Sequence, residues 1–293
     1  MKLAVRLLAV GLSVAVSLVL YSTAVRPWFL HWGATQQEAA QGDATDGLVA
    51  QSTQDGATRA VTIDASVESV WPWIAQVGQG RGGFYSYDIL ENALFGCDIH
   101  STDRLLAQFD HPKTGDEFRY CQNGPLVTRS TLYVEPGRAV AYSPGWAMIV
   151  RPTAAGSTRL IARSRGPRRP QLGALADFFV WDVMFDTVHF VMERKMLEGV
   201  KRRAEGLRTF SPVEDDVQVL CWTIAFLTMV GATIGVFFGR RYAPQLLLAW
   251  AGFIVWLFLI LVQPTIIVAL VLIGALIFGA MATVRTARAP VLR

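Results

Sequence analysis

Four apolar runs constrain this chain more than any other feature. They cover residues 7–25, 217–238, 246–262 and 265–284. At about 1.5 Å per residue each is long enough, or nearly so, to cross the hydrocarbon core of a bilayer. Hydrophobic residues make up 52% of the chain and concentrate at its two ends. The expected organisation is an amino-terminal span over 1–25, a folded domain over 26–208, a three-helix membrane region over 217–284 and a basic tail over 285–293. The first run follows Lys2 and Arg6 and reads as a retained anchor. The competing reading is a signal peptide with its apolar part at 7–20 and Ser22 and Ala24 placed for cleavage.

The last three runs contain no charged residue, which argues for an anchor rather than an ion or proton pathway. Gly239-Arg-Arg-Tyr-Ala-Pro and Gln263-Pro264 separate them. Gly231, Gly235 and Gly239 recur every four residues and offer a small-residue face to a partner helix. With the amino terminus inside, Lys2, Arg6, Arg240, Arg241, Arg285, Arg288 and Arg293 are all cytoplasmic. The domain is then extracytoplasmic, and the chain is a multi-pass cell-membrane protein. Arg26, Lys201, Arg202, Arg203 and Arg208 oppose this, but most belong to the folded domain and weigh less. The net charge of +4 is mild. No motif or aromatic-interleaved basic patch points to nucleic acid.

Arg26-Pro-Trp-Phe-Leu-His-Trp, with Trp28 and Trp32, suits a headgroup region or the edge of a core. Residues 36–56 lack aromatics and periodicity and read as a mobile surface segment. Val61 and Ile63 alternate with Ala60, Thr62 and Asp64, as in a strand. Val67, Val70, Trp71 and Ile74 then give a short helix an apolar face, limited or kinked by Pro72. Gln79-Gly-Arg-Gly-Gly follows a helix and lacks the lysine and hydroxyl of a phosphate loop. It reads as a turn needing positive φ or close backbone approach. Strands are expected at 116–121, 126–135, 139–143, 146–152 and 158–165, with short turns at 135–138 and 154–157. Short connections imply an antiparallel sheet. Phe178, Trp181, Phe185, Val188, Met192, Met196 and Val200 then recur at helical spacing through a long helix over 172–207. The fold class is α+β, a sheet covered by one large carboxyl-terminal helix, with room between them for an apolar ligand.

At this point the chain resembles the SRPBCC superfamily, the START-like helix-grip fold of polyketide cyclases and lipid-transfer domains. The residues that carry it are Arg59-Ala-Val-Thr-Ile-Asp-Ala, Val70-Trp-Pro-Trp, Gln79-Gly-Arg-Gly-Gly-Phe-Tyr-Ser-Tyr-Asp, Cys97-Asp-Ile-His-Ser-Thr-Asp-Arg, Glu135-Pro-Gly-Arg and His189-Phe-Val-Met-Glu-Arg-Lys-Met. The resemblance covers about 28–208 and is to a bacterial, membrane-anchored subgroup. It implies a helix-grip fold and carries over no catalytic set.

Two constellations have the composition of a reactive site. Asp98, His100 and Asp103 place an imidazole between carboxylates, which suits acid–base work or a polar network pinning a loop. Asp182, Asp186, His189 and Glu193 share one face of the long helix and either meet the first cluster or form a solvated stripe. Arg163 and Arg165 are candidate partners for these acids. Cys97 and Cys121 are expected as unpaired buried thiols, with a disulfide or a zinc site with His100 and His111 as alternatives. Trp71, Trp73, Tyr85, Tyr87, Trp146, Met148, Phe185 and Met192 are the candidate ligand contacts, each with a plain core role as the competing reading. No cofactor is expected. The expected function is binding of a hydrophobic molecule such as a lipid, isoprenoid or polyketide-like compound. A cyclase, dehydratase or hydrolase using His100 or His189, and a membrane interaction module, are the alternatives.

Overall fold

A computed structural model describes residues 2–48, 56–121, 129–166, 172–207, 209, 211–239 and 242–288. The chain forms two compact units, Val25–Phe210 and a second that joins Met1–Ala24 to Ser211–Arg293.

The chain opens with helix α1 (Lys2–Leu20), which continues through a π-helical turn at Tyr21–Val25 into α2 (Arg26–Leu30). Helix α3 (Gln36–Ala40) follows, started by a capping box in which Thr35 and Glu38 satisfy each other's backbone N–H. Strand β1 (Thr58–Ile63) leads to α4 (Val67–Ala75), which tolerates Pro72 within it, and then to α5 (Asp88–Phe95). The strands β2 (Glu117–Phe118), β3 (Arg129–Glu135), β4 (Ala139–Tyr142), β5 (Trp146–Pro152) and β6 (Thr158–Ser164) come next. They form a six-stranded sheet in the order β1-β6-β5-β4-β3-β2. Every pairing is antiparallel, with the last strand returning to the first. The α+β expectation holds. The part of the third expected strand at 126–128 lies outside the described residues.

Strand alternation gives the sheet two buried faces. On the inner face Val61, Ile63, Val140, Tyr142, Trp146, Met148, Val150, Leu160 and Ala162 pack with Val70, Trp71 and Ile74 of α4. On the outer face Ala60, Ala139, Ile149 and Ile161 pack with Ala34 and Tyr133. Residues 36–48 cover this outer side through ion pairs. Glu38 meets Arg159 at 2.7 Å, Asp46 meets Arg163 at 2.7 Å and Asp43 meets Arg151 at 3.1 Å. For residues 36–48 this corrects the expectation of a mobile segment at 36–56, of which 49–55 lie outside the described residues. Its carboxylates are spaced to meet a row of outward-facing arginines, a match that composition does not reveal.

The expected long helix is three pieces. Helix α6 (Ala174–Asp177) passes into a π-helical stretch at Phe178–Phe185 and then into α7 (Asp186–Ala204). The π stretch changes which residues face the sheet. Phe190, Met196, Leu197 and Val200 are buried, while Phe185 and Val188 of the expected stripe are exposed. Gly199 lets α7 run against Tyr85, since a Cβ there would lie 2.4 Å from the Tyr85 carbonyl oxygen.

In the second unit, α8 (Pro212–Phe238), α9 (Tyr242–Val262) and α10 (Ile266–Arg288) pack on one another. Together with Leu3–Leu30 they make four helices, among the described residues, long and apolar enough to cross a membrane. Arg6 of α1 donates to the carbonyls of Phe237 (2.6 Å) and Gly239 (2.9 Å) at the end of α8. Gly252 of α9 lies against the backbone of α8, since a Cβ there would lie 2.9 Å from Met229 N. Of the expected glycine face, Gly235 meets Gln245 of α9 and Gly231 has open space beside it.

Candidate functional site

The inner face carries one charge cluster. Arg59 lies on β1 in the same side-chain row as Val61 and Ile63, so it points at α7. Its Nη1 lies 2.6 Å from Glu193 Oε2, with side-chain exposures of 0% and 2%. Its Nε donates to the Phe29 carbonyl at 2.8 Å. Trp146 Nε1 donates to the other Glu193 oxygen at 2.7 Å. His189 sits one turn back, with Nε2 3.6 Å from Glu193 Oε1. Burial alone would raise the Glu193 pKa. The charges of His189 and Arg59 and the two hydrogen bonds outweigh it and hold the carboxyl below its usual range. A carboxylate pinned on both oxygens is a poor proton carrier near neutrality.

Beside Trp146 lies an aromatic cluster. Phe118 stacks on Tyr142 with centroids 3.7 Å apart, Tyr120 meets Phe118 edge-on at 4.8 Å, and Trp146 lies 5.7 Å from Tyr142. Thr131 is directly across the ladder from Tyr142, so the two share this face. The Tyr142 hydroxyl and Thr131 Oγ1 are both buried without a hydrogen-bond partner. An orphan buried hydroxyl costs about 1–3 kcal/mol, so two on one apolar face mark a place for an acceptor or donor from elsewhere. Burial pushes the Tyr142 hydroxyl up and keeps it protonated, available as a donor.

Trp71, Trp73, Tyr85, Trp146 and Met148 fall in this same inner cluster. Tyr85 adopts φ 56°, and its hydroxyl donates to the Trp73 carbonyl (3.1 Å) and accepts from Gln76 Nε2 (2.8 Å). The glycine turn before it meets its expectation. Gly78, Gly80 and Gly83 have positive φ, and a Cβ on Gly82 would lie 2.5 Å from the Tyr85 hydroxyl. Tyr87 is fully buried, with Lys195 Nζ 4.7 Å from its ring centroid. Met192 is half-buried, and its carbonyl accepts from Ser86 Oγ at 3.0 Å. Phe185 is exposed and stacks on His189 at 5.8 Å.

The two expected constellations do not converge. His100 and Asp98 pair at 2.9 Å with side chains 80% and 76% exposed. Asp103 binds Arg203 at 2.7 Å and Thr209 at 2.9 Å. Arg203 is ten residues beyond Glu193, about 15 Å along the helix axis. Asp182 and Asp186 meet Arg26 rather than Arg163 or Arg165, which pair with Asp46. The acids of the long helix therefore form a ladder to the amino-terminal part of the domain. Cys97 and Cys121 are joined in a disulfide, which overturns the expectation of free thiols and removes both from any zinc set. Among the described residues no group of three or more His, Cys, Asp or Glu is placed to hold a metal.

Sequence reasoning missed Arg59, Phe118, Tyr120, Thr131, Tyr142 and Glu91. Arg59 had a signal, because alternation puts a charge in a core-facing row, and that demands an acid opposite. Glu91 on α5 is buried with Oε2 unpartnered. Burial, with the Asp88 charge adding to it, raises its pKa well above the usual range.

No protein-family model, curated protein or solved structure matches this chain.

Proposed function

We propose that residues 26–208 form a helix-grip domain of SRPBCC type that binds a hydrophobic small molecule with one polar end. The molecule lies on the inner face of the sheet, beneath α4 and α7. The observation that carries this reading is the pair of partnerless hydroxyls, Tyr142 and Thr131, opposite each other across the β3–β4 ladder, with the Tyr142 ring packed on Phe118 and Trp146. Aromatic walls take the apolar body, and the hydroxyls orient the polar end. Tethering suits a ligand that partitions into lipid. The enzyme alternative is weaker, because Glu193 is held as a carboxylate and His100 lies on the surface.

The domain lies outside the cytoplasm in this reading. Arg6 bound to the Phe237 and Gly239 carbonyls brings the start of α1 and the end of α8 to one end of the membrane unit, and in the sequence Arg240 and Arg241 follow that end directly. The acidic start of α8, Glu214 to Asp216, belongs to the other end. The basic end is cytoplasmic by the positive-inside rule. The Cys97–Cys121 disulfide supports the same side.

The test is organic extraction of the purified full chain followed by mass spectrometry. The reading expects a near-stoichiometric apolar compound with a hydroxyl, carbonyl or carboxyl end. Recovery of bulk bilayer lipids alone, in the proportions carried by an unrelated membrane protein, would contradict it.

A further inference from the structure

We propose that the apolar stripe along residues 172–188 is a membrane-docking face of the soluble domain. Its partner is the boundary between headgroups and acyl chains of the bilayer crossed by residues 7–25.

Leu172, Leu175, Phe179, Met184 and Val188 are all exposed, Leu175 at 73% and Met184 at 62%. The π stretch sets the step from Phe179 to Met184, and four-residue steps carry the row back to Leu175 and on to Val188, with Leu172 just ahead of the helix. Bonding from residue i to i+5 sets Met184 above Phe179, where an α-helix would turn it away. The opposite side of the same segment is polar and engaged, with Asp182 and Asp186 held by Arg26. A run of large apolar side chains beside a charged face is the pattern of a helix lying in an interface. Water-soluble surfaces rarely carry so much contiguous apolar area without a partner.

The occupant follows from where the chain attaches. Arg26 immediately follows the 7–25 run, so covalent connection puts it at the level of the headgroups. Its Nη2 lies 2.7 Å from Asp186 and 3.0 Å from Asp182. Those two pairs hold the 182–186 part of the segment close to Arg26. Trp28, two residues on, is partly exposed and lies edge-on to Phe190 at 5.6 Å. In the sequence Arg168 and Arg169 precede the stripe, as basic residues flank interfacial helices. The proposal concerns how the domain meets lipid and does not rest on the ligand reading.

The test uses the full chain in vesicles of phosphatidylcholine with phosphatidylglycerol, on a Cys221→Ser background. Nitroxide labels are placed at Leu175→Cys, Met184→Cys and, as a water-facing control in the β5–β6 turn, Ala154→Cys. Oxygen collisions report lipid and nickel-chelate collisions report water. The expected result is an inversion of the oxygen-to-nickel ratio, with oxygen dominant at Leu175 and Met184 and nickel dominant at Ala154. Nickel dominance at all three sites overturns the proposal. So does exclusion of both reagents together with spin–spin broadening, which would mean that a second copy covers the stripe. Leu175, at the exposed start of the helix, serves if substitution at Met184 disturbs folding.

Discussion

Arginine–carboxylate pairs clasp both faces of one sheet under different physical conditions. On the outer face Arg159, Arg163 and Arg151 hold Glu38, Asp46 and Asp43, each pair keeping some contact with water. On the inner face Arg59 and Glu193 pair with both side chains almost fully buried, beside Phe190 and Trp146. Partly solvated pairs contribute about 0–1 kcal/mol each. A buried pair adds little over a well-packed apolar substitute, yet losing one member strands the other charge at a cost of about 3–5 kcal/mol. The outer clasp is thus a set of small, separable contributions, whereas the inner one acts as a unit.

The largest expected effect follows from that contrast. Glu193→Ala lowers the stability of the domain by about 3–5 kcal/mol in denaturant titration, and the double change Arg59→Met with Glu193→Leu recovers most of it. Equal losses for the single and double variants would break the comparison. Next, Cys97→Ser with Cys121→Ser costs about 2–4 kcal/mol, by loosening the unfolded-state constraint between α5 and β2. Smallest, Glu38→Ala costs about 1 kcal/mol, mostly from the Arg159 pair and the α3 cap, while His100→Ala stays within about 0.5 kcal/mol. A large loss on removing His100 would give the surface cluster a weight that its exposure denies.

Acidity separates the charged groups by sign. Burial opposes ionisation of Glu193, Glu38 and Asp43, but the His189 charge at Glu193 and the arginine and hydrogen-bond partners of all three outweigh it and lower them. Their contribution is complete above the unfolded carboxylate pKa, about 4–4.5, and is lost as pH falls through the folded values. Glu91 runs the other way. Its raised pKa means that stability declines as pH rises from about 4.5 toward the folded value. Glu91→Gln is therefore expected to flatten the decline above that point and leave the acid limb unchanged, as read from unfolding midpoints across pH. An unchanged slope above pH 5 would place the Glu91 carboxyl in water.

Much of the fold was legible because alternation and apolar length are local properties. The strands 146–152 and 158–164, the glycine turn at 78–83 and the four apolar helices follow directly from such patterns. What failed depended on partners. The residues 36–48 looked like linker because their order comes from arginines more than a hundred residues away. The three acids and the histidine of this set on the long helix were assigned to a shared face, yet their partners proved to be Arg26 and Arg59. The π stretch rotated Phe185 and Val188 out of the expected buried stripe, and helical spacing alone cannot register an i+5 turn. Tyr142 and Thr131 gave no sequence signal, since a tyrosine and a threonine in strands are ordinary. They stand out only when their hydroxyls are found buried and unpartnered.

The most direct test of the ligand reading compares wild type, Tyr142→Phe and His100→Ala by native mass spectrometry, with thermal unfolding of the delipidated proteins alongside. Removing an orphan hydroxyl should raise the stability of the ligand-free protein by about 1 kcal/mol. The same change should reduce the bound compound roughly tenfold, the equivalent of about 1.4 kcal/mol. His100→Ala should alter neither. Bound compound retained by Tyr142→Phe and lost by His100→Ala would contradict the account and move the functional site to the surface cluster.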